Sequence, residues 1–296
     1  MKLIFSVLSA ASFFLCQGQT KYDALETNAD NNTLLWEVSG NGLSQPSYIF
    51  GTFHLMCKDD IHFSDALQRV FAKADEVYME LDMDDPAEMM GGLKLMNMKD
   101  GKTLKDLYTD AAYEKVNNFF KDSLQMPLSF IPGMKPFFLM ALLYPKMLAC
   151  KNVSGIEQAL IKIAKEQKKA IKGLETMEFQ SAVFDSIPYE QQARDLLKAI
   201  DSIGAYRVYF DKMLQVYKNQ ELDKIESLFT DTTFGMQDQQ DILLDKRNKN
   251  WADKLKAILQ AKSVFIAVGA GHLPGEKGLL NLLRNDGYTV QPLGNK

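Results

Sequence analysis

Apolar residues in this chain come in two patterns: short alternating or continuous runs that stop at a glycine, and longer stretches at helical spacing that separate them. Leu34-Leu-Trp-Glu-Val38 alternates, Ser39-Gly-Asn-Gly42 follows, and a second run ends at Gly51, which predicts a hairpin. Asp65 to Ala74 places Ala66, Leu67, Val70 and Phe71 on one helical face behind Ser64, a residue type that caps helices. Glu76 to Asp82 reads as the next strand, at a distance that suits a crossover helix. Ala170 to Leu174 is a short strand ending at Glu175 ahead of a helix, and Ser263 to Val268 is a buried strand closed by Gly269. A helix from Pro274 to about Asn285 and a strand from Thr289 to Pro292 complete the pattern. Strands alternating with helices predict an α/β (α+β) fold with a central, mostly parallel or mixed sheet.

A large helical section is inserted between the strands. Asp110 to Leu124 reads as a helix, and Phe137 to Cys150, entered past Pro132 and Pro136, as a nearly all-apolar buried one. Ser154 stands three residues before Glu157, a capping-box spacing that opens a helix through Leu160 and Ile163. Helical spacing also covers Pro188 to about Tyr217, Leu222 to Phe229 and residues 236–260, the last including Arg247, Asn248 and Trp251. Residues 86–98 are rich in methionine but offer no Cys or His partner, so a mobile apolar lid or groove is expected there rather than a copper site.

The amino terminus changes the picture of where the chain works. Lys2 followed by an apolar stretch from Leu3 to Leu15, too short to span a bilayer, predicts a signal peptide over residues 1–18. Residues 19–296 would then be a periplasmic or extracellular domain. Lipidation at Cys16 is disfavoured because Phe13-Phe14-Leu15 lacks the small residues expected before a lipidated cysteine. The mature chain is expected not to span a membrane. Export leaves Cys57 and Cys150 as an even pair, either a disulfide or two buried thiols. The formal charge of −4, without a basic cluster interleaved with aromatics, argues against a nucleic-acid partner.

Four of the predicted strands end in chemistry. Gly51-Thr-Phe-His54 and Gly269-Ala-Gly-His272 each close a strand with a glycine turn and deliver a histidine; the other two strands run into Glu80 and Glu175. In one mostly parallel sheet these four side chains would meet at its carboxyl edge. Two imidazoles with one or two carboxylates suit a divalent transition metal, and mixed shells of this kind accept Mn²⁺, Fe²⁺ or Co²⁺ as readily as Zn²⁺. Such an ion makes a hydrolytic nucleophile of water, with the carboxylate that does not ligate as the natural base. The third histidine, His62, has no glycine turn and is read as a surface residue or one that supports a ligand from behind. There is no Gly-x-Ser-x-Gly elbow and no phosphate-binding loop.

Gly51-Thr-Phe-His54, Glu80-Leu-Asp82 followed by Asp-Pro, Gly173-Leu-Glu175-Thr176, Arg247-Asn248 and Gly269-Ala-Gly-His272, in this order, resemble the TraB/GumN family. That family includes the animal TIKI-type metalloproteases. The resemblance runs from about Leu34 to Leu293 and implies a metal-dependent hydrolase, a peptidase above all, acting on a peptide or protein substrate. It favours Mn²⁺ or Co²⁺, with His54, His272 and Glu80 at the metal. Glu80 and Glu175 are then the candidate bases, and Arg247 the partner of substrate oxygen. It also implies likeness to erythromycin-esterase and ChaN-like folds, which keeps open ester hydrolysis at the same site and a non-catalytic haem- or metal-binding protein.

Overall fold

β-branched and aromatic residues recur in all but one of the strands that form, which are β1 (Leu35–Ser39), β2 (Ser47–Thr52), β3 (Met56–Cys57), the exception, β4 (Glu76–Met79), β5 (Val153–Ser154), β6 (Ala170–Gly173), β7 (Val264–Gly269) and β8 (Thr289–Pro292). The computed structural model describes residues 32–229 and 239–296; the predicted signal peptide, Cys16 and the start of the predicted helix over residues 236–260 lie outside them. Six strands make one mixed sheet in the order β6-β4-β7-β2-β1-β8. β6, β4, β7 and β2 are mutually parallel, while β1 is antiparallel to both β2 and β8. Every residue of β2 is buried, as are five of the six in β7, the pattern of strands covered on both faces. β7 sits between β2 and β4, so the last parallel strand completes the middle of the sheet.

The helices are α1 (Asp65–Lys73), α2 (Pro86–Leu95), α3 (Leu104–Leu107), α4 (Asp110–Leu124), α5 (Pro136–Ala141), α6 (Tyr144–Met147), α7 (Ile156–Glu166), α8 (Met177–Asp185), α9 (Tyr189–Asp201), α10 (Ile203–Lys218), α11 (Leu222–Phe229), α12 (Lys246–Ala261) and α13 (Leu279–Asn285). α1 begins where the sequence indicates, with Ser64 accepting from the Leu67 N–H, and buries Leu67, Val70 and Phe71. Phe71 meets Phe265 of β7 edge-on at 4.8 Å, which seats the helix on the sheet. α4 and β8 have the predicted bounds. The methionine-rich segment forms a helix, α2, started by Pro86 in its first turn and capped by Asp85. It lies against α8, where a Cβ on Gly92 would stand 2.8 Å from Met177 Cγ.

The single buried helix expected over residues 137–150 is two short ones. Pro145 explains the break: it has no N–H to donate and its ring clashes with the carbonyl four residues back, at Ala141, where α5 ends. The segment is only partly buried, with Ala141, Pro145 and Lys146 exposed. The helix expected from Pro274 begins at Leu279, after a turn in which Gly275 has φ +90°. Lys135, 1% exposed, ties this helical section together by pairing with Asp185 at 2.7 Å and donating to Ser181 Oγ at 2.8 Å.

Cys57 and Cys150 are joined in a disulfide spanning 93 residues of sequence. It closes the two-stranded ribbon of β3 and β5, which the Lys58 N–H to Asn152 O bond extends. Among the described residues no helix is long and apolar enough to cross a membrane.

Candidate functional site

β2, β4, β6 and β7 point their carboxyl ends the same way, and each is followed at once by a polar side chain. His54 comes two residues after β2, Glu80 directly after β4 and Glu175 two residues after β6. β7 turns through one 3-10 turn, Ala270–His272, to present His272. α12 then crosses this edge and inserts Arg247, Asn248 and Trp251, all buried and spaced to share one helical face.

The two histidines are held by the same device with different partners. Asn248 Nδ2 donates to Lys277 O at 2.9 Å, which fixes the amide so that Oδ1 faces His272 Nδ1 at 2.6 Å. Nδ1 must then carry the hydrogen, and Nε2 turns its lone pair toward the middle of the site. His272 is 4% exposed, and burial pushes its pKa down to about 3, against the pull of the Glu80 charge. His54 Nδ1 lies 2.7 Å from Glu157 Oε1, an oxygen that also accepts from Thr52 Oγ1 at 2.6 Å. The His54 side chain is 72% exposed. Partial desolvation works against a proton there, but the hydrogen bond and charge of Glu157 and the charge of Glu80 outweigh it and raise the imidazole to about 9.

Glu80 and Glu175 share Arg247. Glu80 Oε1 accepts from the Gly269 N–H at 2.9 Å and stands 3.8 Å from His272 Nε2, while its Oε2 takes Arg247 Nη2. Burial opposes its ionisation, but the charge of Arg247, with that of His54 and the Gly269 N–H, holds it well below the usual carboxylate range. Glu175, 5% exposed, has both oxygens filled: Oε1 by Arg247 Nε and Nη2 and by Gln180 Nε2, Oε2 by Arg247 Nε and by Trp251 Nε1. Burial raises its pKa, and the guanidinium only partly offsets this. Arg247 completes its set with Nη1, 3.0 Å from Leu243 O and 3.1 Å from His272 Nε2. All five of its N–H groups are therefore engaged within the protein.

The residues named from the sequence thus come to one place, and Gly269 marks its centre. A Cβ there would lie 3.2 Å from Glu80 Oε1, 3.6 Å from His272 Cδ2 and 3.8 Å from His54 Nε2, so the glycine leaves room around which these three groups stand. In donor chemistry they fit a divalent ion: two imidazole nitrogens and a carboxylate oxygen, each histidine steadied through its other nitrogen. Among the described residues no three His, Cys, Asp or Glu side chains are already drawn in to ligating distances. His62 is exposed and takes no part.

Glu157 was hidden by its sequence context. Its spacing from Ser154 reads as a capping box, yet Gly155 and Gln158 have the same spacing; the Gln158 side chain accepts from the Gly155 N–H and Ser154 Oγ, which leaves Glu157 free for His54. Gly155 permits the approach, since a Cβ there would sit 2.5 Å from His54 O and 3.0 Å from Glu157 Oε2. Asn248 adjoins Arg247 in sequence, but its hold on His272 needs the helix crossing to be seen.

No solved structure matches the chain, so the likeness to erythromycin-esterase and ChaN-like folds rests on the sequence resemblance alone. Among curated proteins the chain is similar to Metalloprotease TIKI1 of Danio rerio, 22% identical over 89% of this chain and 63% of that protein. Metalloprotease TIKI1 of Homo sapiens is likewise 22% identical, over 95% of this chain and 66% of its own length. The chain therefore spans under two thirds of these animal relatives. YbaP of Escherichia coli (strain K12), an uncharacterized protein, is 25% identical over 80% of this chain and 87% of its own. The profile of the TraB/PrgY/gumN family matches residues 34–292, nearly all of the described fold and every residue of the site, and the chain belongs to that family.

Proposed function

We propose that this protein is an exported metal-dependent hydrolase that cuts peptide bonds, its divalent ion held by His54 Nε2, His272 Nε2 and Glu80. The observation that carries the reading is the pairing of each histidine's Nδ1 with a carbonyl or carboxylate oxygen, at 2.6 Å and 2.7 Å. This is how metal-ligating imidazoles are commonly oriented. The names of the animal relatives favour a metalloprotease and hence a peptide or protein substrate. The resemblance favours Mn²⁺ or Co²⁺, and the donors also suit Zn²⁺.

A bound divalent ion would supply Lewis acidity, lowering the pKa of water and polarising a carbonyl. The protein's part is orientation. Glu80 Oε1, on the imidazole side, would ligate the ion, and a pKa held well below the carboxylate range suits a ligand better than a proton acceptor. Glu175 has no free oxygen, and its role is to hold Arg247 and Trp251. Arg247 in turn keeps Glu80 ionised and aimed.

The test is incubation of the purified chain with Mn²⁺ or Co²⁺ and a mixed peptide library, reading new termini by mass spectrometry. Cleavage that disappears in Glu80→Gln and His272→Ala supports the reading. A folded, metal-loaded protein that leaves the library intact but hydrolyses p-nitrophenyl acetate would replace peptidase by esterase.

A further inference from the structure

We propose that the Arg247 guanidinium is an internal competitor of the metal, a resident cation that an incoming divalent ion displaces from His272 Nε2 before that nitrogen can ligate. The inference rests on the metal reading above. Two of the acceptors used by Arg247 belong to the proposed ligands: His272 Nε2 takes Nη1 at 3.1 Å, and Glu80 Oε2 takes Nη2. His272 has no second lone pair to offer, because Nδ1 is committed to Asn248. Arg247 and a metal therefore cannot both use Nε2.

The remaining acceptors are not ligands and do not have to move. Glu175 Oε1 holds Nε at 3.1 Å and Nη2 at 2.6 Å, and Leu243 O holds Nη1 at 3.0 Å. On metal binding the guanidinium gives up one neutral acceptor and keeps its carboxylate fork, so it needs only to turn within its seat. Charge follows the same logic. The single positive charge of Arg247 is shared by two buried carboxyl groups, Glu80 and Glu175, so the cluster can take up the further positive charge of a divalent ion.

Trp251 lies under both groups, 4.8 Å from the Arg247 guanidinium carbon and 4.4 Å between its ring and that of His272. The chain's other tryptophan is Trp36, in β1. A Trp36→Phe background therefore makes indole emission a report on this contact.

The experiment titrates Mn²⁺, then Co²⁺, into the full chain and into Arg247→Lys and Arg247→Ala, by calorimetry, with circular dichroism to establish folding. Removing the competing donor is expected to tighten the apparent Kd about tenfold or more, the worth of one hydrogen bond to a charged donor. In Trp36→Phe, metal binding is expected to shift Trp251 emission. Equal or weaker binding in a folded Arg247 variant would overturn the proposal and make Arg247 an organiser of the ligands. Unchanged Trp251 emission on binding would overturn it too, and this arm leaves Arg247 untouched. Absence of binding by wild type and variants alike would instead remove the metal reading itself.

Discussion

Glu175→Ala is the sharpest probe of the buried charge cluster. Glu175 is 5% exposed and Arg247 6%, so water does little to screen their contact. The substitution leaves the guanidinium with Glu80 as its one carboxylate and Trp251 Nε1 without its acceptor. Breaking a buried ion pair from one side costs roughly 3–5 kcal/mol, and the pairing that survives with Glu80 places this case toward the lower part of that range. A lost indole hydrogen bond adds about 1 kcal/mol. We therefore expect about 3–5 kcal/mol, measured by urea unfolding with the disulfide intact, and a thermal midpoint lowered by roughly 6–20 °C. Glu175→Gln keeps an acceptor for Trp251 and should lose about half as much. Cooperative unfolding of Glu175→Ala within ~1 kcal/mol of wild type would refute the reasoning, because it would mean that Arg247 draws no stability from Glu175.

Glu157→Gln should return the His54 pKa from about 9 toward the ordinary value of 6.5, followed by NMR in metal-free protein. The sign follows from the raised value: the stability contributed by charged His54 is complete below 6.5 and disappears as pH rises through about 9, a slope that the variant should lack. An unchanged titration would detach Glu157 from His54. His272 has the opposite sign, for its folded pKa of about 3 lies below 6.5; the stability that depends on its neutrality is present above 6.5 and lost as pH falls toward 3. His272→Asn should flatten that part of the acid limb in a pH series of urea melts, and an identical limb would exclude the assignment. Replacing Cys57 and Cys150 by serine opens a 93-residue link and should cost about 2–4 kcal/mol, with unfolding midpoints equal to wild type as the refuting result.

Much of this site is legible in the sequence because strand ends are local. A buried run such as Val264 to Gly269 identifies itself by composition, and the residue just past it belongs to the sheet's carboxyl edge, as His272 does. His54, Glu80 and Glu175 follow from the same rule. The supporting residues do not, because their roles depend on contacts distant in sequence. Asn248 meets His272 across 24 residues and Glu157 meets His54 across 103. Glu157 was masked further by an equally good local explanation, the capping box. The break at Pro145 is hidden inside a strongly apolar run, although a proline within a helical stretch is itself a signal to stop. The place of β7 between β2 and β4 is a matter of topology, which spacing along the chain does not encode.

Everything proposed for this protein depends on a metal site formed by His54, His272 and Glu80. Its most direct test is elemental analysis of the purified protein after incubation with Mn²⁺ or Co²⁺ and desalting, beside the folded His54→Ala/His272→Ala double variant. We expect about one ion per chain in wild type and none in the double variant. Wild type without metal, or a double variant that retains it, would rule out these three residues as a metal site.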